Sequence, residues 1–210
     1  MTLFKIDSNQ RLFNSSKTKQ LYGEIYTPFS LIEQVLSLIP PIFFQNPNLK
    51  WLDAGSGRGN FSIILFNKLF LGLEKSIPKK EERRNHIIEN MIYMVEIQEA
   101  NVSKLFEKFG KTANIINMNF LSWKPNIQFD FVIGNPPFNC NGIKKVPTNK
   151  EKKKKEDGQT IWIAFVKKSI DLLREGGKLC IIIPSIWMKP DKQNMYSYML
   201  QYNIQKLHCL

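Results

Sequence analysis

Cysteine and histidine are scarce in this chain: three of the former, Cys140, Cys180 and Cys209, and two of the latter, His86 and His208. The cysteines are odd in number and stand at no metal-like spacing, so neither a disulfide framework nor a metal site is indicated. Long apolar runs are missing too. No stretch reaches the roughly 18 uninterrupted apolar residues of a membrane span. The start, MTLFKIDSNQ, lacks the basic-then-apolar order of a signal peptide. A phosphate loop is excluded because no Gly-Lys-Ser/Thr follows the glycine-rich turn. These absences predict a globular, cytoplasmic protein with no membrane partner and no metal.

Positive charge is what the chain has in excess. Among 210 residues, 30 Lys and Arg against 18 Asp and Glu give a formal charge of +12 and a pI near 9.6. Such an excess attracts a polyanion from any direction, nucleic acid above all, although a solvated lysine-rich surface has the same composition. Hydrophobic residues at 43% and charged residues at 23% are ordinary for a domain able to bury a single sizeable core.

Residues 1–22 are polar and weakly patterned and read as an N-terminal arm; residues 23–210 read as one domain. From Thr27-Pro28, Leu31, Ile32, Val35, Leu36 and Ile39 recur at helical spacing, and Pro40-Pro41 end the helix. NLKWLDAGSGRGNFSIILFNKLF reads as strand, glycine turn and helix. MIYMVEIQ is a second strand and ANVSKLFEKFG a second helix. TANIINMNFLSW and FDFVIGNPPF supply the third and fourth strands. TIWIAFVKKSIDLLREGG is a helix with a Gly-Gly stop, and KLCIIIPSIWM a fifth strand. This alternation predicts an α/β fold, a mostly parallel sheet with helices on both faces. Two charged insertions, 72–90 and 141–158, interrupt the rhythm and are expected to be mobile loops. Their basic residues, in 75–84 and 141–158, are candidate nucleic-acid contacts.

In LDAGSGRGNF the first strand delivers Asp53, and Gly55, Gly57 and Gly59 bring main chain close to whatever lies above the turn. Asp53 would repel a pyrophosphate. A cationic ligand fits better, such as S-adenosylmethionine, whose sulfonium and ammonium a carboxylate can hold directly or through water. Glu96, ending the second strand, is placed to accept ribose hydroxyls, with Glu99 the nearby alternative. Asn119, after the third strand, can offer its amide to an adenine, and Phe120 can lie against the ring.

FDFVIGNPPFNCNG runs a buried-looking strand into Gly134-Asn135 and then two prolines. Proline cannot donate to a sheet and locks its own φ, so Pro136-Pro137 must end the strand and hold the following turn rigid. An amine conjugated to a ring is a poor nucleophile because its lone pair is delocalised. The Asn135 side-chain oxygen and the Pro136 carbonyl can each accept one of its N–H groups, leaving the lone pair to become tetrahedral as it attacks a methyl group. Rigidity matters because such acceptors act only when placed in advance. Phe138 is positioned to stack on a base.

With these motifs in order, the sequence resembles the class I S-adenosylmethionine-dependent N(6)-adenine DNA methyltransferases whose cofactor motifs precede the catalytic one. GEIYTPFSLIEQVL resembles that family's N-terminal cofactor-gripping motif, LDAGSGRGNF its glycine motif and FDFVIGNPPF its catalytic turn. The segment from TIWIAFVKK to PSIWM resembles the helix and strand that follow, so the likeness runs from about Gly23 to Met188. It implies that Tyr26, Thr27 and Pro28 contact the cofactor's methionine end, Asp53, Gly55 and Gly57 its amino-acid part, and Glu96 its ribose. Asn119 and Phe120 flank its adenine, while Asn135, Pro136 and Phe138 handle the target base. S-adenosylhomocysteine would be the product.

Two positions depart from the family pattern: Asn119 stands where Asp is common, and Phe138 where Tyr is commoner. After PSIWM the family continues through more strands and a target-recognition region, whereas NIQKLHCL reads as the beginning of a sixth strand. The fold is therefore expected to be C-terminally incomplete, with recognition supplied by a separate specificity subunit or another segment. The same turn also serves RNA adenine and release-factor glutamine methylation. A non-catalytic subunit or fragment of a larger modification enzyme is a further alternative.

Overall fold

Pro28 caps the first helix from outside, at a position where its missing N–H costs nothing. The structure, a computed structural model, describes residues 3–4, 27–140, 159–189 and 194–209. Helix α1, Phe29–Ser37, buries Phe29, Ile32 and Leu36 along one stripe, and Pro41 opens a 3-10 turn, Pro41–Gln45. Strand β1, Trp51–Ala54, then passes through the glycine turn into α2, Asn60–Gly72. A short helix α3, Lys80–His86, and a π turn, Ile87–Met91, lead into β2, Ile92–Glu96. Next come α4, Glu99–Phe109, β3, Asn114–Asn117, and β4, Phe129–Gly134. A ribbon of β5, Asn139–Cys140, and β6, Gln159–Thr160, precedes α5, Trp162–Asp171, β7, Leu173–Ile181, a 3-10 turn, Ser185–Met188, and α6, Met195–Met199.

Five strands pair in the order β3-β2-β1-β4-β7, every pair parallel. The expected α/β architecture is present, with apolar side chains on both faces as a parallel sheet requires. On one face Trp51, Met94, Phe131 and Ile133 join α1, α2 and α4 in the larger core. Trp51 lies between two near-parallel rings, Phe44 at 5.4 Å and Phe131 at 4.0 Å. On the other, Leu52, Val95 and Val132 pack with Phe165 of α5 and Phe120. Each large apolar side chain so buried contributes about 1.5–3 kcal/mol.

Three expectations are corrected. The insertion at 72–90 is packed structure rather than a loose loop. In α3, Glu81 and Glu82 occupy the first turn and Arg83, Arg84 and His86 the last, which suits the helix dipole. Arg83 is 1% exposed: its guanidinium sits 4.3 Å over the Phe70 ring, and Nη1 donates to the Ile77 carbonyl at 3.1 Å. Second, PSIWM is a 3-10 turn and not strand, because Pro184 has no N–H to continue the ladder. Third, residues 203–209 pair with no strand among the described residues; instead Lys206 Nζ donates to the Leu38 carbonyl at 2.8 Å.

The Gly-Gly stop has an unexpected form. Phe129 faces Leu173 and Phe131 faces Lys178, so Arg174 to Gly177 bulge out of the β7 edge. Arg174 turns back to pair with Asp130, which also accepts the Lys50 main-chain N–H. No described helix is long and apolar enough to cross a membrane.

Candidate active site

In a parallel sheet the strands leave at one end, and ligands bind where successive connections part to opposite faces. Here that point lies between β1 and β4, neighbours in the sheet although far apart in sequence. The glycine turn leaves β1 there and the Asn135-Pro136-Pro137 turn leaves β4. The two touch: a Cβ on Gly55 would lie 3.9 Å from Pro137 Cδ and 3.8 Å from Phe165.

The glycines of the turn have different duties. Gly55 and Ser56 donate main-chain N–H groups to the Val95 carbonyl, both at 3.0 Å, tying the turn to β2. Gly57 adopts φ +55°, and a Cβ there would meet nothing within 4 Å, so this part of the turn is open toward a ligand. Gly59, at φ +85°, admits Leu105 and Phe109, since a Cβ would stand 2.6 Å from Leu105 Cδ2.

Asp53 lies beneath the turn rather than in it. Only 1% exposed, it accepts the Ser62 hydroxyl at 2.7 Å. Burial pushes its carboxyl up to about 7, with Glu96 adding to the rise, while the Ser62 hydrogen bonds pull it down. Asp53 thus braces the turn from beneath, and of the two ways a carboxylate there can hold a cation, directly or through water, this placement suits the second.

Glu96 is buried at the end of β2, where Oε2 accepts the Gly57 N–H and Oε1 the Gln98 N–H, each at 2.7 Å. The carboxylate is thereby fixed beside the open glycine, and carboxylate oxygens can accept more than one donor each. Beyond it, Ile97 and Met118 are 47% and 46% exposed. Sequence reasoning passed over these two; large apolar side chains left in water at adjacent strand ends are the structural signal for a ring-binding wall. Asn119 is exposed, and its Oδ1 already accepts the Leu121 N–H at 3.0 Å in a tight turn. Its Nδ2 is therefore the group left to face a ligand. Phe120 is 3% exposed and stacked on Phe165, so it forms the floor.

Asn135 carries the least ordinary feature. Its Nδ2 donates to Thr27 Oγ1 at 3.0 Å, while Oδ1 is buried with no hydrogen-bond partner among the described residues. Burying an unsatisfied acceptor costs about 1–3 kcal/mol, and such groups ask for an explanation. Pro136 is buried next to it. Phe138 is half-buried against a third apolar cluster that includes Trp162 and Trp187, and its carbonyl accepts the Ile161 N–H at 3.2 Å. Thr27 is 6% exposed and Pro28 adjoins it; Tyr26 lies outside the described residues. Asn60 and Ser62, which hold Thr27 and Asp53, were not expected. A polar pair in the otherwise apolar start of α2 was their only signal.

The two candidate nucleic-acid segments fall differently. Residues 75–84 precede β2 and so sit at the end of the sheet away from the site, and Arg83 is buried besides. Residues 141–158 lie outside the described residues.

A glycine turn after β1, an acidic residue ending β2 and this strand order define the Rossmann-like class I methyltransferase fold. A structure from Listeria monocytogenes, described as a class I S-adenosylmethionine-dependent methyltransferase, matches with a TM-score of 0.56 at 15% identity, over 83% of this chain and 51% of that one. More particularly, the chain belongs to the Eco57I restriction-modification methylase family, whose sequence profile matches residues 3–209. The type II methyltransferase M.BstVI of Geobacillus stearothermophilus is 26% identical over 187 residues, 78% of this chain and 33% of the relative. The type II restriction enzyme and methyltransferase RM.BcgI of Heyndrickxia coagulans is 27% identical over 195 residues, 87% of this chain and 28% of the relative. The chain thus spans a third or less of the length of these relatives.

Proposed function

We propose that the chain transfers a methyl group from S-adenosylmethionine to the exocyclic amine of adenine in DNA. Membership of a restriction-modification methylase family supports the reaction class. The observation that carries the chemistry is Asn135 Oδ1, a buried acceptor without a partner among the described residues, where β4 meets the glycine turn.

The residues present fit the cofactor. Open main chain at Gly57, the fixed Glu96 carboxylate and the exposed Ile97 and Met118 offer a polar cradle, a diol acceptor and an apolar wall. Thr27, with Pro28 beside it and Tyr26 before it in sequence, bonds to Asn135, and Asn119 directly follows Met118. When bound, S-adenosylmethionine supplies a methyl group on a sulfonium, an electrophile that an amine can attack without prior deprotonation.

The chain's own part is to prepare that amine. Asn135 Oδ1 accepts one N–H and the Pro136 carbonyl the other, drawing the lone pair out of the ring and bearing the positive charge that grows on nitrogen. The charged amine then gives its extra proton to water. Phe138 is the platform for the base, and excess positive charge across the chain attracts the DNA backbone.

Labelled methyl transfer from S-adenosylmethionine to DNA, RNA and release-factor protein tests the reading, with Asn135→Ala as control. Label is expected in adenine of DNA and is lost in the variant. Label in RNA or protein alone would replace the substrate, and cofactor binding without transfer would make the chain a non-catalytic subunit.

A further inference from the structure

Resting on the methyl-transfer reading above, we propose that Thr27 is a positioning residue that holds the Asn135 amide with its oxygen toward the target amine. An asparagine amide turns end for end about its last torsion with little intrinsic preference between the two faces. The two orientations are chemically opposite. With oxygen forward the amide accepts an N–H from the amine; with nitrogen forward it meets that N–H with N–H groups of its own. Something must break the tie.

Thr27 Oγ1 anchors one end of the amide; a hydroxyl can donate as well as accept, and in this structure it accepts. It accepts Asn135 Nδ2–H at 3.0 Å, and threonine and asparagine are both withdrawn from bulk water there. That bond puts nitrogen on the Thr27 side and leaves Oδ1 as the buried acceptor. Thr27 is itself held, because Asn60 Nδ2, at the start of α2, donates to its carbonyl at 3.3 Å. Asn60 directly follows Gly59, so one chain of bonds runs from the glycine turn through the entrance of α1 to the catalytic turn. A hydroxyl at position 27 therefore acts on the chemical step, and not only on the methionine end of a cofactor.

Thr27→Val keeps the shape and removes the acceptor; Thr27→Ser keeps the acceptor. At saturating cofactor, single-turnover methyl transfer by Thr27→Val is expected to fall about tenfold or more, the usual scale for a misplaced group. Saturation removes whatever the substitution does to cofactor affinity, and Thr27→Ser should restore the saturated rate, as the retained hydrogen bond requires. A raised Kd with an unchanged saturated rate overturns the proposal, as does an equal loss in both variants. A second readout needs no turnover: the Asn135 side-chain amide protons, assigned by their absence in Asn135→Ala, should lose exchange protection in Thr27→Val and keep it in Thr27→Ser. Unchanged protection in Thr27→Val overturns the role of Thr27 even if wild-type protein proves inert, an outcome that by itself would sink only the activity.

Discussion

Gly134 lies against Asp53: a Cβ at position 134 would stand 3.4 Å from Asp53 Oδ1 and 3.3 Å from the Ala54 carbonyl oxygen, while the glycine holds φ at +140°. The last residue of β4 thus presses on the buried carboxylate under the glycine turn. Gly134→Ala meets both an unfavourable backbone angle and a crowded contact. It should lower stability by about 1–3 kcal/mol. Because Asn135 is the next residue, methyl transfer should fall roughly tenfold or more. Thermal unfolding and single-turnover rates check the two effects separately.

Neighbouring glycines should fail in different ways. Gly59→Ala drives a methyl into Leu105 and Phe109 at a left-handed backbone and should cost about 2–4 kcal/mol of stability. Gly57→Ala meets no atom within 4 Å, so only the backbone cost of about 1–2 kcal/mol applies. Its methyl instead projects into the space a cofactor would use. Urea unfolding should rank Gly59→Ala as the worse folder, and calorimetric titration with S-adenosylmethionine should rank Gly57→Ala as the worse binder among folded variants.

Asp53 makes stability depend on pH in an unusual direction. Its carboxyl is held at about 7 against an ordinary value of 3.8, so the folded chain keeps a proton that the unfolded chain has released. The stabilisation is complete below about pH 4 and is lost as pH rises through about 7. Asp53→Asn, neutral throughout, should flatten this dependence. The wild type should lose more stability than the variant between pH 5 and pH 8, by an amount on the order of a few kcal/mol. Parallel urea midpoints in the two proteins would overturn the assignment.

The lysines at 150 and 152–155 should strengthen nucleic-acid affinity by neutralising phosphates. Replacing them with glutamine should flatten the slope of log affinity against log salt by about 0.9 for each phosphate that is no longer neutralised. Equal slopes would make these residues ordinary solvated surface.

Much of the site was legible because its signals are local. Three glycines after one strand permit φ values other residues avoid and two prolines after another fix φ, and the ends of parallel strands can only meet at one edge. What stayed hidden depends on partners far away in sequence. A run such as Lys79 to Arg84 reads as solvated because nothing in it reveals that Phe70 will take the Arg83 guanidinium. Asn119 looked like a ligand-facing amide, yet a turn two residues ahead consumes its oxygen. For Asp53 the sequence leaves direct and water-mediated holding of a ligand equally open, because its order in the motif is the same whether it faces the cleft or the floor. The bulge at Arg174 to Gly177 is masked by a Gly-Gly pair that ends a helix equally well.

The bond between Thr27 and Asn135 joins residues 108 positions apart. Between them lie β1, β2, β3 and β4, so the segment that braces the amide closes one of the longest loops in the chain. Loop closure of that length is entropically late. During synthesis Thr27 leaves the ribosome long before Asn135 exists, and it must wait for four strands to pair. On refolding, helical signal and sheet signal should therefore return before competence for methyl transfer does, making the finished site a marker of completed folding.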